Sequence, residues 1–137
     1  MIVTNKDRRT ILGEAIEVAL TGAQRAKGLL GRECLADGQG LLFKGTSSLH
    51  TFFMQFPIDI IYADKKGKVL KAASDVKPFK IVAAPFRAYY AIELPVGVIA
   101  RSHTRVGDYV RFDEELGAPE APVEEPQAEE LPLKVSA

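Results

Sequence analysis

The stretch His50-Thr51-Phe52-Phe53-Met54-Gln55-Phe56-Pro57-Ile58-Asp59-Ile60-Ile61-Tyr62 crowds aromatic and β-branched residues together with a His and an Asp. Such side chains suit a pleated, half-buried backbone, so the stretch is expected to run through the core as strand. Just beyond it, Ile58–Ala63 and Lys68–Ala73 flank Asp64-Lys65-Lys66-Gly67. That arrangement predicts a hairpin with the glycine in the left-handed position.

Towards the N-terminus, Leu41–Phe43 reads as a short buried strand, and Asp37-Gly38-Gln39-Gly40 before it as a turn. Thr21-Gly22-Ala23-Gln24 has the form of a capping box, and a short helix is predicted from about Gly22 to Leu30, stopped by Gly31. Ile16, Val18 and Leu20 alternate with Glu17 as in a strand, while residues 1–10 are polar and expected to be frayed or lightly attached. Towards the C-terminus, Ile81–Ala84, Ala88–Leu94 and Tyr109–Phe112 are further strand candidates between Gly and Pro breaks. Short strands joined by tight turns, with one helix near the N-terminus, predict a mainly β fold, an antiparallel sandwich or barrel forming one domain over residues 1–112.

A chain of 137 residues can bury a core without disulfides or metals, and its 47% hydrophobic and 26% charged composition is that of an ordinary globular protein. Its zero net charge conceals two opposed parts. Residues 113–137 carry eight acids against Lys134, a net −7, and the remaining 17 basic and 10 acidic residues give the body +7. The tail is rich in Pro and Glu and poor in apolar side chains, and is expected to be disordered and solubilising. Cys34 is the sole cysteine, so no intrachain disulfide exists, and it is read as a small buried structural residue. Charges within Met1–Leu20 interrupt the apolar region a secretory signal needs, and no run approaches the roughly 20 apolar residues of a membrane-spanning helix. A soluble, cytoplasmic protein is expected.

Chemistry is sought among a few ionisable groups set in apolar surroundings. If His50–Phe56 is a strand, His50, Phe52, Met54 and Phe56 share one face. Four residues along a strand span about 13 Å, too far for His50 and Met54 to hold one ion, and neither metal nor cofactor is expected. Asp59 lies between Ile58 and Ile60, and Glu93 between Ile92 and Leu94. A buried carboxylate needs a partner or a pocket mouth, because burying an unpaired charge costs several kcal/mol. The functional reading gathers His50, Asp59 and Glu93 into a polar cluster able to hold a polar ligand or perform acid/base work; the alternative leaves both acids facing solvent on a half-exposed sheet. Lys65, Lys66, Lys68 and Lys71 stud the hairpin near Tyr62, a pattern compatible with a nucleic-acid backbone, although lysines on exposed turns more commonly serve solubility. Nucleic acid is therefore not the expected partner.

Arg25-x-x-Gly28-Leu29 with Gly31-Arg32, Gly40-Leu41-Leu42-Phe43, His50-Thr51-Phe52-Phe53-Met54 with Pro57-Ile58-Asp59, and Glu93-Leu94-Pro95-x-Gly97 with Gly107-Asp108 together resemble domain-of-unknown-function family 192. The resemblance covers about residues 14–112. It implies a compact, mainly β fold of sandwich type found in bacteria and archaea, without an established activity, and recurrent polar positions at Arg25, Arg32, His50, Asp59 and Glu93. The leading expectation is a small β domain that binds a small polar ligand through Arg25, Arg32, His50, Met54, Asp59 and Glu93. The alternatives are a small hydrolase or lyase using Asp59 or Glu93 with His50, and an accessory nucleic-acid binder using the basic hairpin.

Overall fold

The computed structural model describes residues 1–21, 24, 27–45 and 48–113. Among them ten strands form three sheets. A five-stranded sheet, in the order β3-β4-β9-β6-β7, contains β3 (Ala15–Val18), β4 (Gln39–Lys44), β9 (Tyr90–Pro95), β6 (Ile58–Ala63) and β7 (Val69–Val76). A three-stranded sheet sets β1 (Ile2–Asn5) between β10 (Val110–Asp113) and β2 (Thr10–Gly13). A two-stranded ribbon joins β5 (Leu49–His50) to β8 (Ile81–Val82).

The expected hairpin is present. β6 and β7 pair antiparallel, and the Asp64 carboxylate accepts from the Lys66 and Lys68 N–H groups at 2.9 Å each, closing the turn. Gly67 completes it at φ +90°, where a Cβ would lie 2.6 Å from the Val110 carbonyl oxygen of the neighbouring sheet. Only glycine meets both demands at once.

Two expectations about architecture are corrected. The sheets do not close into a barrel, and the pairing is not wholly antiparallel, because β3 runs parallel to β4 with Ile16 opposite Gly40. Parallel neighbours require a crossover, and residues 19–38 supply it. The N-terminus is also no frayed end: β1 is the middle strand of its sheet, paired with β2 on one side and β10 on the other.

The five-stranded sheet is covered on both faces, which explains why every residue of β6 is buried. Leu42, Ile61, Ile92 and Leu94 face one core with Val3, Leu12 and Val110 of the three-stranded sheet. Leu41, Phe43, Ile60, Tyr62 and Ala91 face a second core with Leu29, Leu35, Met54 and Val82. The crossover and the β5–β8 ribbon lie over this second face. Tyr62 fixes the ribbon there: its hydroxyl accepts from the Leu49 N–H at 3.0 Å and donates to the Val82 carbonyl at 2.7 Å.

Among the described residues, the helix whose whole span is described is α1 (Val98–Ser102), which lies towards the C-terminal end rather than the N-terminal one. Pro95-Val96-Gly97 does stop β9, but Gly97 at φ 102° then starts a helical turn. The helix predicted at 22–30 falls partly on residues outside the description. Its capping box is formed nonetheless, with the Gln24 N–H donating to Thr21 Oγ1 at 3.0 Å and Gln24 Oε1 accepting from the Thr21 N–H at 3.0 Å. The acidic tail beyond Asp113 lies outside the described residues, and no helix among those described is long and apolar enough to cross a membrane. Cys34, expected to be buried, is exposed on the crossover.

Candidate functional site

Glu93 sits in the middle of the five-stranded sheet. Its cross-strand neighbours are Leu41 on β4 and Ile60 on β6, so the carboxyl emerges from an apolar wall of the second core. The residue is only 4% exposed, and its Oε1 has no hydrogen-bond partner among the described residues. Burial pushes its carboxyl up to about 8, and the attraction of the Arg32 guanidinium offsets only part of that shift. Arg32 is itself engaged with Glu17 at 3.1 Å. At neutral pH Glu93 therefore carries a proton, and it can both donate and accept a hydrogen bond.

A cavity of about 310 Å³ opens over this carboxyl, bordered by Lys27 and Leu30 of the crossover, Phe43 of β4, His50 at the end of β5, and Met54. His50 and Met54 arrive together for a reason the strand expectation missed. The chain leaves strand geometry after His50, and residues 51–57 form turns. Thr51, fully buried, pins those turns: its hydroxyl donates to the Lys77 carbonyl at 2.7 Å and accepts from the Lys80 N–H at 2.9 Å. Met54 then tucks inward and His50 stays exposed at the rim, its ring stacked on Phe52 at 4.9 Å and its Nδ1 accepting from the Phe52 N–H at 3.3 Å. Period-two reasoning along 50–56 does not apply to a turn.

Asp59 does not join this cluster. It pairs across strands with Leu94, on the opposite face of the sheet from Glu93. Its Oδ1 accepts from the Asp75 N–H at 2.8 Å, and its Oδ2 accepts from Gly97 and Ile99 N–H at 3.1 and 2.9 Å. Gly97 has no side chain with which to cap α1, and Asp59 supplies the missing acceptor from a distant strand. With three backbone donors on its two oxygens, it ties β7 and α1 to β6 and is not among the residues lining the cavity. Arg32 borders an adjoining small cavity together with Glu17 and Lys27, and Arg25 lies outside the described residues.

The basic hairpin lines a separate depression, in which Lys65, Lys66 and Lys68 meet Arg87 and Tyr109. Among the described residues no three His, Cys, Asp or Glu side chains converge as a metal site. Sequence reading missed Lys27, Leu30 and Phe43 as cavity residues. Their shared signal is position: they lie on the crossover and on the strand it leads into, visible only once β3 and β4 are known to be parallel.

The profile of DUF192, described as an uncharacterised ACR, matches residues 1–112. The chain belongs to the DUF192 family. A UPF0127 protein of Pyrococcus horikoshii is 30% identical over 115 residues, covering 82% of this chain and 98% of its relative. One from Pyrococcus abyssi is 27% identical over 117 residues, covering 81% and 97%. Another, from Thermococcus sibiricus, is 38% identical over 82 residues, covering 57% of this chain, and the chain spans about half that relative's length, 51%. Among solved structures, a protein of unknown function from Novosphingobium aromaticivorans shares the fold with a TM-score of 0.70 at 26% identity, covering 81% of this chain and 82% of its own. A Sinorhizobium meliloti protein of TM-score 0.64 at 24% identity, covering 70% and 79%, shares the fold. The UPF0127 relatives carry no stated activity, and the Sinorhizobium meliloti structure, described as that of a putative transcription regulator, shares the fold alone.

Proposed function

We propose that this DUF192 protein binds a small, uncharged polar ligand in the cavity floored by Glu93 and flanked by His50 and Met54. The observation that carries this reading is the buried Glu93 carboxyl with an unpartnered Oε1 at the cavity wall. A buried polar atom without a partner costs of order 1–3 kcal/mol, and a ligand hydrogen bond would recover that. A thermal-shift screen of uncharged polar compounds tests it. Saturating binders are expected to raise the melting temperature by roughly 5–10 °C, as follows from a hundredfold excess over Kd and the enthalpy of a domain this size. The shift should vanish in Glu93→Leu. Equal shifts in the wild type and in that variant would remove Glu93 from the site and end the reading.

A second reading, a hydrolase or lyase, is favoured by one feature. A carboxyl held near 8 in a cavity whose rim carries an imidazole can serve as a general acid at neutral pH, with Glu93 as the proton donor and His50 as its companion. Asp59 takes no part in that chemistry. A turnover assay showing a rate lost in Glu93→Gln, with ligand affinity retained, would distinguish catalysis from simple binding.

A further inference from the structure

Four rings run outward from the cavity rim. His50 stacks on Phe52, Phe52 lies 6.3 Å from Phe79, and Phe79 meets Phe53 edge-on at 5.7 Å. Phe53 is 74% exposed, Phe79 61% and Ile81 67%, although large apolar side chains gain by being buried. The exposure is not a matter of slack loops. Phe53 and Phe79 both occupy the left-handed region, at φ 64° and 65°, where bulky residues are strained. Thr51 holds both turns there, because its carbonyl accepts from the Phe79 N–H at 3.0 Å while its hydroxyl and N–H bridge to residues 77 and 80. The fold thus fixes an aromatic ridge in water, continuous through His50 with a cavity that has a carboxyl at its floor. Strain held by surrounding structure is typical of functional surfaces.

The chemistry of the two parts narrows the occupant. A cation would meet the Lys27 charge at the rim and the Arg32 charge that acts on Glu93, so a positively charged occupant is disfavoured. A purely apolar molecule would leave the buried Glu93 oxygen unsatisfied. A ring with an apolar face and a hydroxylated edge meets both conditions, resting its C–H face on the ridge while a hydroxyl pairs with Glu93. Resting on the pocket reading above, we infer that cavity and ridge together form a binding site for an uncharged oligosaccharide, one ring seated in the cavity and the next laid over Phe52 and Phe79. The cavity volume lies at the small end of ligand sites, which fits a single ring.

NMR titration of the full chain with maltotriose, cellotriose and chitotriose tests this, reading the Met54 methyl and the Phe53 and Phe79 ring signals, with glycerol, glucosamine and galacturonate as comparisons. At least one trisaccharide should shift all three sets of signals together, while the charged sugars shift none. Phe79→Ala, an exposed site that leaves the fold intact, should weaken trisaccharide binding about tenfold, the scale of one lost stacking partner. Glu93→Gln should retain binding, because a carboxamide still donates and accepts, and Glu93→Leu should lose it. Trisaccharides that leave all these signals unmoved at tens of millimolar overturn the saccharide assignment. If glycerol or another uncharged compound then moves Met54 alone, the pocket survives and only its ligand class was misjudged. If no compound moves Met54, both readings fall.

Discussion

Glu93 and Asp59 are both acids set among isoleucines and leucines, and the folded chain treats them in opposite ways. Asp59 is saturated by three backbone donors, so its charge is met. In Asp59→Asn the side chain keeps one accepting oxygen and turns an NH₂ towards donors on its other side. That variant is expected to lose about 3 kcal/mol of stability in chemical denaturation, whereas Asp64→Asn keeps the single oxygen its turn requires and should lose less than about 1 kcal/mol. Equal losses would show that Asp59 does not hold α1. Glu93 predicts a pH signature instead. It is held at about 8 against an ordinary 4.5, so unfolded chains release the proton while folded chains keep it. The protonated carboxyl's contribution is fully present below about pH 4.5, falls as pH rises through the interval up to about 8, and is level above it. At about 1.4 kcal/mol per tenfold change in protonation, the total is several kcal/mol. Glu93→Gln should abolish that slope in denaturation curves taken from pH 5 to pH 9, and an unchanged slope would place the titrating group elsewhere. The sequence marked both acids as needing an explanation, but which face each occupies depends on cross-strand partners far away in the chain.

At the scale of elements, β6 and β7 were readable because alternation, β-branching and the Asp64–Gly67 turn all pointed the same way. The neighbouring 50–57 segment was not. Its aromatic density resembled core strand, yet Phe53 and Phe79 face water, because Thr51 bonds to residues 77–80 and bends the chain away from strand geometry. That bond joins residues some 29 positions apart, a separation local pattern cannot register. The β5–β8 ribbon depends on Tyr62, whose hydroxyl is pushed up to about 12, chiefly by burial, and so stays protonated as the donor to Val82. Tyr62→Phe removes both hydroxyl bonds and should cost roughly 1–2 kcal/mol globally. Hydrogen exchange should show faster opening confined to Leu49 and residues 81–83, with β6 and β9 still protected. Acceleration spread evenly over the sheet would mean that the ribbon has no special dependence on this hydroxyl.

Across the whole molecule, the N-terminal strand and the loop after α1 are joined by one buried knot. Asn5 Nδ2 donates to Thr104 Oγ1 at 3.0 Å and to Asp108 Oδ2 at 3.1 Å, and Arg8 Nε and the Arg105 N–H reach the same Asp108 oxygen at 3.0 Å each. Burial acts to raise the Asp108 carboxyl, but these bonds and the Arg8 charge outweigh it and hold it below its ordinary value. A carboxyl so depressed stabilises the fold above its unfolded value and loses that contribution as the medium turns acid through its folded value. Asp108→Asn should therefore lower stability at neutral pH by about 2–3 kcal/mol and flatten the acid limb of the stability curve. A variant as acid-sensitive as the parent would show that this knot does not govern acid unfolding. Nothing in the polar opening residues announced that Asn5 would be fully buried against a segment a hundred positions away.

The parallel pairing of β3 with β4 obliges a length of chain to travel from one end of the sheet back to the other, and that obligatory traverse is also what walls the cavity. A cut within it would leave every antiparallel rung of the sheet in place while removing one side of the vessel. The segment that makes the parallel pairing possible is thus also the one on which the shape of the hollow depends.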